Sequence, residues 1–340
     1  MKKKERYTFF IILLVLFLVL CSIISLCIGN YHIPVSKVFA ILLSKIFSVE
    51  VTWTDTMYKV VMVSRLPRVG AAIIVGGALA ISGAAYQGVF KNPLVSPDLL
   101  GVSNGACVGS AISILVGAGY WGNVFFSFVG GICAVCITVL FPRVLRKKSS
   151  VALVLSGVIV GSFFSSVLGL LKYVADSETK LAEITYWQLG SLARVKPNSL
   201  FICGPLILVT GTIILLLRWR INVISLGDKE AQALGVSIIK ERGIIIICAT
   251  LLTAASICIS GTIGWIGLIM PHFARVFVGQ DNKKVIPVSM LLSSAFLVII
   301  DSIARNLTGA EIPLGIITGF VGTPFFAFIV LKQQKNKSGQ

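Results

Sequence analysis

Charge is what this sequence has least of. Only 13% of its 340 residues are Asp, Glu, Lys or Arg, about half the ~25% of a soluble domain. Acids are scarcer still, 13 against 30 Lys and Arg, and there are two histidines, His32 and His272. Such a composition excludes an ordinary soluble protein, and no stretch reads as a separate water-soluble domain. A Gly-x-x-x-x-Gly-Lys-Ser/Thr phosphate loop is missing, so the chain does not hydrolyse ATP by that route. His-Glu-x-x-His is missing too, and two histidines in distant segments count against an embedded metalloenzyme. No apolar run holds Asp, Glu or Lys near its middle, where a proton- or sodium-coupled carrier commonly places one. Eight cysteines lie mostly inside apolar runs. Cys133 and Cys136 have only Ala134 and Val135 between them and no second pair beyond, so they are expected to be small helix-packing residues and not metal ligands.

What is present is apolar surface. Hydrophobic residues make up 56% of the chain, which predicts an all-α polytopic membrane protein, a single transmembrane domain over residues 1–340. Apolar segments fall near 9–28, 69–88, 93–117, 121–142, 151–171, 199–217, 243–260, 262–278, 285–304 and 313–331, about ten spans. The break at Ser260-Gly261-Thr262 between the seventh and eighth is brief. Behind Met-Lys-Lys-Lys-Glu-Arg, the first run exceeds the ~7–15 residues of a signal-peptide core, so it is expected to be a retained helix. The net charge is +17. With ten spans and an inner N-terminus, 20 of the 30 Lys and Arg fall on the inner side, as the positive-inside rule requires. Both termini are therefore expected in the cytoplasm, and the basic excess is expected to meet anionic lipid, not nucleic acid.

Thirty-two glycines, with small-xxx-small pairs at Gly105/Gly109, Gly157/Gly161 and Gly315/Gly319, point to a tightly packed bundle, since close backbone approach supplies the contacts that hydrophobicity cannot supply inside lipid. Four polar features stand out against it. Arg65-Leu66-Pro67-Arg68 precedes the second span on the outer side, against the charge rule; it reads either as interfacial snorkelling or as a docking site for an acidic partner, with Pro67 suited to a helix start. Asn92-Pro93 through Pro97 to Gly101 breaks regular helix, either as a tight inner turn or as an element beside a pathway. The loop from Leu226 and Gly227 through Glu230, Ala231 and Leu234 to Gly235 is predicted to form a short helix. Its early acids suit the dipole, Gly235 can end it, and its apolar residues suit another protein's groove. Asp301 and Arg305 lie four apart near an outer helix end, as a local pair or as a third outer positive charge beside Arg65 and Arg68. Finally, Gly264 to Arg275 begins as a glycine-rich apolar run, with Gly267 inside it, and ends in Pro271-His272-Phe273-Ala274-Arg275.

These segments resemble the FecCD family, the permease subunits of bacterial ABC importers for iron–siderophore, haem and cobalamin, and the cobalamin permease is close in pattern. The resemblance runs from about Arg65 to Leu331. It rests on Arg65-Leu66-Pro67-Arg68; Gly77 to Gly83 with Gln87; Asn92-Pro93-Leu94 through Leu100-Gly101-Val102-Ser103-Asn104-Gly105-Ala106; Tyr186-Trp187-Gln188-Leu189-Gly190-Ser191-Leu192; Leu226-Gly227 through Leu234-Gly235-Val236; the Gly264–Arg275 run; and Glu311-Ile312-Pro313-Leu314-Gly315 with Gly322-Thr323-Pro324-Phe325-Phe326. Trp265 stands where many relatives carry Phe, and Ala310 precedes Glu311 in a variable loop. The resemblance implies an ABC importer type II permease fold with ten spans per subunit. It also implies a second permease subunit, identical or sister, two cytoplasmic ATPase subunits that bind ATP and Mg, and an extracytoplasmic substrate-binding protein. It assigns Arg65, Arg68 and Arg305 to docking of that binding protein and residues 226–240 to coupling with the ATPases. It leaves Asn92, Pro93, Pro97, Gly101, Gly264, Gly267, Pro271, His272, Arg275, Glu311, Pro313 and Gly315 as structural or transmission residues. No cofactor or metal is expected on this chain, and it is not expected to be an enzyme. Ferric siderophore is the expected cargo in the bacterial cytoplasmic membrane, with cobalamin or haem as alternatives. A self-sufficient secondary carrier or channel is the alternative of another class.

Overall fold

The computed structural model describes residues 3–48, 50–144, 150–309 and 311–338. Lys2, Arg146, Lys147 and Lys148, counted above as inner charges, and Ala310 lie outside them. Among the described residues all regular structure is helical. The chain enters as α1 (Lys3–Cys27), makes two short pieces, α2 (Val35–Leu43) and α3 (Asp55–Lys59), and passes through a π-helical turn at Val60–Arg65 into α4 (Leu66–Phe90). A 3-10 turn at Pro97–Leu100 precedes α5 (Val102–Val116), α6 (Gly119–Val144), α7 (Ser150–Val174) and the short α8 (Lys180–Gln188). Then come α9 (Pro197–Leu226), α10 (Asp228–Ala233), α11 (Ile238–Ser260), α12 (Ile266–Val278), α13 (Asn282–Asn306) and α14 (Leu314–Ser338).

Among the described residues seven helices are long and apolar enough to cross a bilayer, and three shorter apolar helices, in α5, α12 and α14, accompany them. That matches the ten segments in order, with two corrections. The 15 residues of α5 and 13 of α12 rise only about 22 and 20 Å, less than the ~30 Å hydrocarbon thickness. The rest of each segment is not α-helical: 91–101 before α5 is irregular apart from the 3-10 turn, and 261–265 before α12 is irregular. Pro93, Pro97 and Gly101 forbid helix in the first, and Gly261 (φ 67°) turns the chain in the second. Pro67 stands in the first turn of α4, as a helix entrance requires, but that entrance follows helical turns without interruption from Asp55 onward. The π turn just before it, in which Leu66 N–H donates to the Val61 carbonyl, absorbs the disruption a proline brings to a regular α ladder.

Burial separates a centre from a periphery. The apolar stretches of α4 and α11 are 83% and 78% buried, that of α1 only 22%, so α4 and α11 form the core against which the others lie. Glycine makes the approach possible. A methyl at Gly83 would fall on the Gly267 carbonyl, and one at Gly76 would lie 2.7 Å from the Ser293 carbonyl. Gly105 and Gly109 press on Gly130 and Phe126 of α6, as the small-residue spacing predicts. Gly161 lies close to Gly101, where a Cβ would come 3.3 Å from the Gly161 nitrogen, and Gly157 and Gly161 also line a cavity. Hydroxyls tie the core further, Ser82 to Thr253 at 2.7 Å, Tyr86 to Thr250 at 2.8 Å and Ser293 to the Gly76 carbonyl at 2.6 Å. Each contributes on the order of 0.6 kcal/mol in a membrane interior. Cys133 and Cys136 are exposed on α6, so they do not pack helices; the other six cysteines are buried.

Candidate functional site

The π turn and the first turn of α4 hold Arg65 and Arg68 at one end of the bundle, and the last turn of α13 brings Arg305 to the same place. The structure puts the three arginines together as expected but does not leave them free. Arg68 is 6% exposed; its Nε donates to Asp301 Oδ1 and its Nη1 to Glu311 Oε1, both at 2.7 Å. Arg305 donates to Ser25 Oγ at 2.7 Å and lies 3.2 Å from Asp301 Oδ2. Arg65 donates to the carbonyls of Leu26 at 2.7 Å and Tyr31 at 2.6 Å, which clamps the end of α1. The local Asp301–Arg305 pair expected from their spacing is present, and burial turns the hydrogen bonds of all three guanidiniums towards partners inside the chain. Among the described residues three guanidiniums face two carboxylates, so one positive charge remains in excess, and Arg65 is the one without an acid.

Glu311 leads from this cluster to a backbone junction. Beyond Pro313, Leu314 N–H donates to the Gly190 carbonyl at 2.9 Å and Gly315 N–H to the Leu189 carbonyl at 3.0 Å, while Ser191 N–H donates to the Ser260 carbonyl at 2.7 Å. Thr262 Oγ1 donates to the Gln188 carbonyl. The end of α8, the α11–α12 break and the start of α14 are thus stitched together by main chain. Gly315 permits it: a Cβ there would lie 2.6 Å from the Leu189 carbonyl. Gly190, at φ 74°, makes the turn that only glycine adopts readily.

At the opposite end, α10 follows Gly227, and Gly235 at φ 76° closes it, with its N–H on the Gln232 carbonyl at 2.9 Å. The short helix is where the sequence places it, but its apolar residues divide. Ala231 is fully buried, with Val236 and Ile238 nearly so; they face this chain and not a partner. Leu226, Leu234 and Ile239 point outward, 66%, 56% and 82% exposed. Glu230 lies at the start of the helix, beside Gly227. Asp228 is clipped by Arg242 at 2.8 Å and Lys91 at 3.4 Å. The hydrogen bond from Arg242, then the nearby positive charges, hold its carboxyl below the usual aspartate range.

Between the two ends lies the break before α5. Asn92 Oδ1 accepts from Leu94 N–H at 2.9 Å, Asn92 and Pro93 are exposed, and Gly101 (φ 76°) turns into α5. Pro97 is buried and lies against Gly267, which in turn meets the Leu79 carbonyl in the middle of α4. The segment is therefore no superficial turn, because it reaches mid-depth. It also carries Asp98, open to a cavity of about 350 Å³, so the expectation that no carboxylate sits at mid-depth is overturned. Gln87 holds the segment from α4: its Nε2 donates to the Val95 carbonyl at 3.3 Å and the Leu268 carbonyl at 3.2 Å, and its Oε1 accepts from Arg275 at 2.5 Å. Arg275 therefore fastens α12 to α4, with Pro271 buried and His272 half-buried nearby and Gly264 without close neighbours. Sequence reasoning missed Asp98 and the long-range partner of Arg68. The signal for Asp98 was available: three helix breakers in ten residues of an apolar segment require irregular backbone, which at depth must border protein or water. Among the described residues no three of His, Cys, Asp and Glu stand together as a metal site.

The profile of the FecCD transport family matches residues 16–332. The molybdate import system permease protein of Haemophilus influenzae is 36% identical over 322 residues, 95% of each chain. A probable iron chelatin transport system permease protein of Helicobacter pylori is 37% identical over 274 residues, 80% of this chain and 82% of its own. A solved structure described as an inward-facing ABC transporter of metal-chelate type superposes with a TM-score of 0.85 at 35% identity, covering 95% of this chain and 99% of that one.

Proposed function

For this chain, which belongs to the FecCD transport family and is a membrane-spanning permease of an ABC importer, we propose a role in carrying a ferric siderophore across a bacterial cytoplasmic membrane. A second permease subunit, identical or sister, completes the pathway. Two ATPase subunits that bind ATP and Mg dock at the α10 end, in the cytoplasm with both termini, and a substrate-binding protein docks at the arginine end. The observation that carries the reading is the contrast between those ends. One shows three outward apolar side chains, Leu226, Leu234 and Ile239, around a clipped short helix. The other holds a cluster with one uncompensated positive charge.

A partner's acidic residues would meet that charge at Arg65. They would also compete with Glu311, whose side chain is 39% exposed, for Arg68, while Arg305 keeps Asp301 in place. Since Glu311 leads into the main-chain junction of α8, α11–α12 and α14, docking would be felt there. ATP-driven closure of the ATPases would move α10, and through Lys91 and Arg275 would move the ends of α4 and α12. The whole is a rigid-body change of access that needs no ion site. The iron chelatin permease of Helicobacter pylori supports the siderophore reading; cobalamin and haem stand as alternatives within the family. The molybdate permease of Haemophilus influenzae supports a second reading, an oxyanion importer.

The test is reconstitution in liposomes with the ATPase subunits and binding protein that co-purify with the chain from its source cells. ATP-dependent uptake of a radiolabelled ferric siderophore supports the proposal, and uptake of molybdate in its place supports the second reading. Transport by this chain alone, indifferent to ATP, would establish a carrier or channel instead.

A further inference from the structure

The mid-depth cavity has the make-up of a polar passage. It is lined by Asp98, Asn104, Gly157, Val158, Gly161, Ser162 and Ser165. It lies between the 3-10 turn, α5 and α7, and Asn104 Nδ2 ties α5 to α7 through the Gly161 carbonyl at 2.9 Å. Asp98 accepts from the Ser103 hydroxyl, and among the described residues no Lys or Arg pairs with it. A carboxylate has about four acceptor positions, so capacity is left facing the cavity.

The uncovered face of α7 is divided lengthwise. At 100° per residue, Ser162, Ser165 and Gly169 run along the side next to Asp98 with Val158 among them, while Ile159, Phe163 and Leu170 run along the other; all seven are exposed. Lipid suits the second side and not the first. A lone carboxylate at the centre of hydrocarbon costs at least ~2.5–3.5 kcal/mol, and exposed serine hydroxyls beside it would each lack partners. Water, a polar solute or a polar face of the second permease subunit suits the first side, and the cavity of about 350 Å³ beside Asp98 leaves room there for water.

We propose that this cavity is a stretch of the aqueous translocation path and that Asp98 is its charged contact, accepting hydrogen bonds from N–H and O–H donors on the passing cargo and disfavouring free oxyanions. The inference rests on the permease reading and deepens it towards a substrate class: a metal chelate whose shell presents donors. The competing structural role is an anion at the N-terminus of α5, favoured by the dipole there, and it makes no demand on what lies in the cavity.

The test uses the assembled importer in vesicles, with Cys133→Ala and Cys136→Ala removing the exposed native thiols and Ser162→Cys adding one in the cavity. Cationic and anionic membrane-impermeant thiosulfonates are applied from each side, with and without ATP, and labelling of this chain is read by mass spectrometry. Position 162 is expected to react in at least one state. The cation-over-anion rate ratio is expected to fall about tenfold when Asp98→Asn removes the charge and keeps the shape, as for a nearby unit charge in a watery site. Labelling by neither reagent in any state overturns the aqueous path. Labelling with a ratio that Asp98→Asn leaves unchanged overturns the charged contact. Neither readout needs cargo, so failure of siderophore uptake and failure of this inference are separate results.

Discussion

Arg68→Ala is the sharpest perturbation the arginine cluster offers. It removes two charge-assisted bonds at once, to Asp301 Oδ1 and Glu311 Oε1, each 2.7 Å. The two losses are unequal. Glu311 is partly solvated, at 39% exposure of its side chain, and rehydrates, so its share is at most about 1 kcal/mol. Asp301 is 1% exposed. It would keep only Arg305, and its Oδ2 already lacks an aligned hydrogen bond. Removing one partner of a buried pair costs about 3–5 kcal/mol. With about 2 °C per kcal/mol for a chain of this size, the detergent-solubilised protein should lose roughly 6–10 °C in thermal unfolding followed by size-exclusion fluorescence. Arg68→Lys keeps a charge but cannot fork to both acids and should fall between. The decisive control is Asp301→Asn in the Arg68→Ala background, where the uncompensated charge is gone and part of the loss should return. A drop under about 2 °C, or strictly additive effects of the two substitutions, would refute the account of Asp301 as a buried anion dependent on Arg68.

Other substitutions probe other parts. Gly83→Val should abolish a monodisperse elution profile because its Cβ falls on the Gly267 backbone, an overpacking of well over the usual ~1–3 kcal/mol, whereas Gly264→Ala, with nothing within 4 Å, should be neutral. At α10, Leu234→Ala with Ile239→Ala should weaken co-purification of the ATPases several-fold at unchanged melting temperature. Ala231→Glu should instead lower the melting temperature, since it buries a charge inside this chain. The Asp228 carboxyl is held below its ordinary range, so its clip is present above the unfolded value of about 3.9 and is lost only as pH falls through the lower folded value. ATPase-coupled transport should therefore show no inflection from it between pH 5 and 8, and an inflection inside that window removed by Asp228→Asn would contradict the clip.

The sequence made the helices legible because each is a continuous apolar run, and a membrane interior allows such a run few alternatives to helix. It also drew attention to residues at both ends of the bundle: on the expected topology Arg65 and Arg68 stand against the charge rule, and Leu234 and Ile239 are apolar residues in a loop. What it could not show was pairing at a distance. Asp301 stands four residues from Arg305, and that local spacing hid its partner Arg68, more than 200 positions away. Periodicity likewise cannot tell a full span from a half-helix with a re-entrant lead, because 93–117 is equally apolar either way. The helix breakers announce irregular backbone around Asp98, and the contact of Pro97 with Gly267 sets its depth.

The meeting of Gly83 and Gly267 has one more consequence. Where two helices touch through side chains, knobs sit in holes, and displacement requires several rotamers to change together. Here bare Cα faces bare carbonyl, so the contact has no teeth. α12 can slide or pivot against α4 without a side chain having to jump, guided by Pro97 on one flank and tethered by the Arg275–Gln87 bond at its far end. The tightest point in the core is a bearing, where closeness and freedom to move have the same cause.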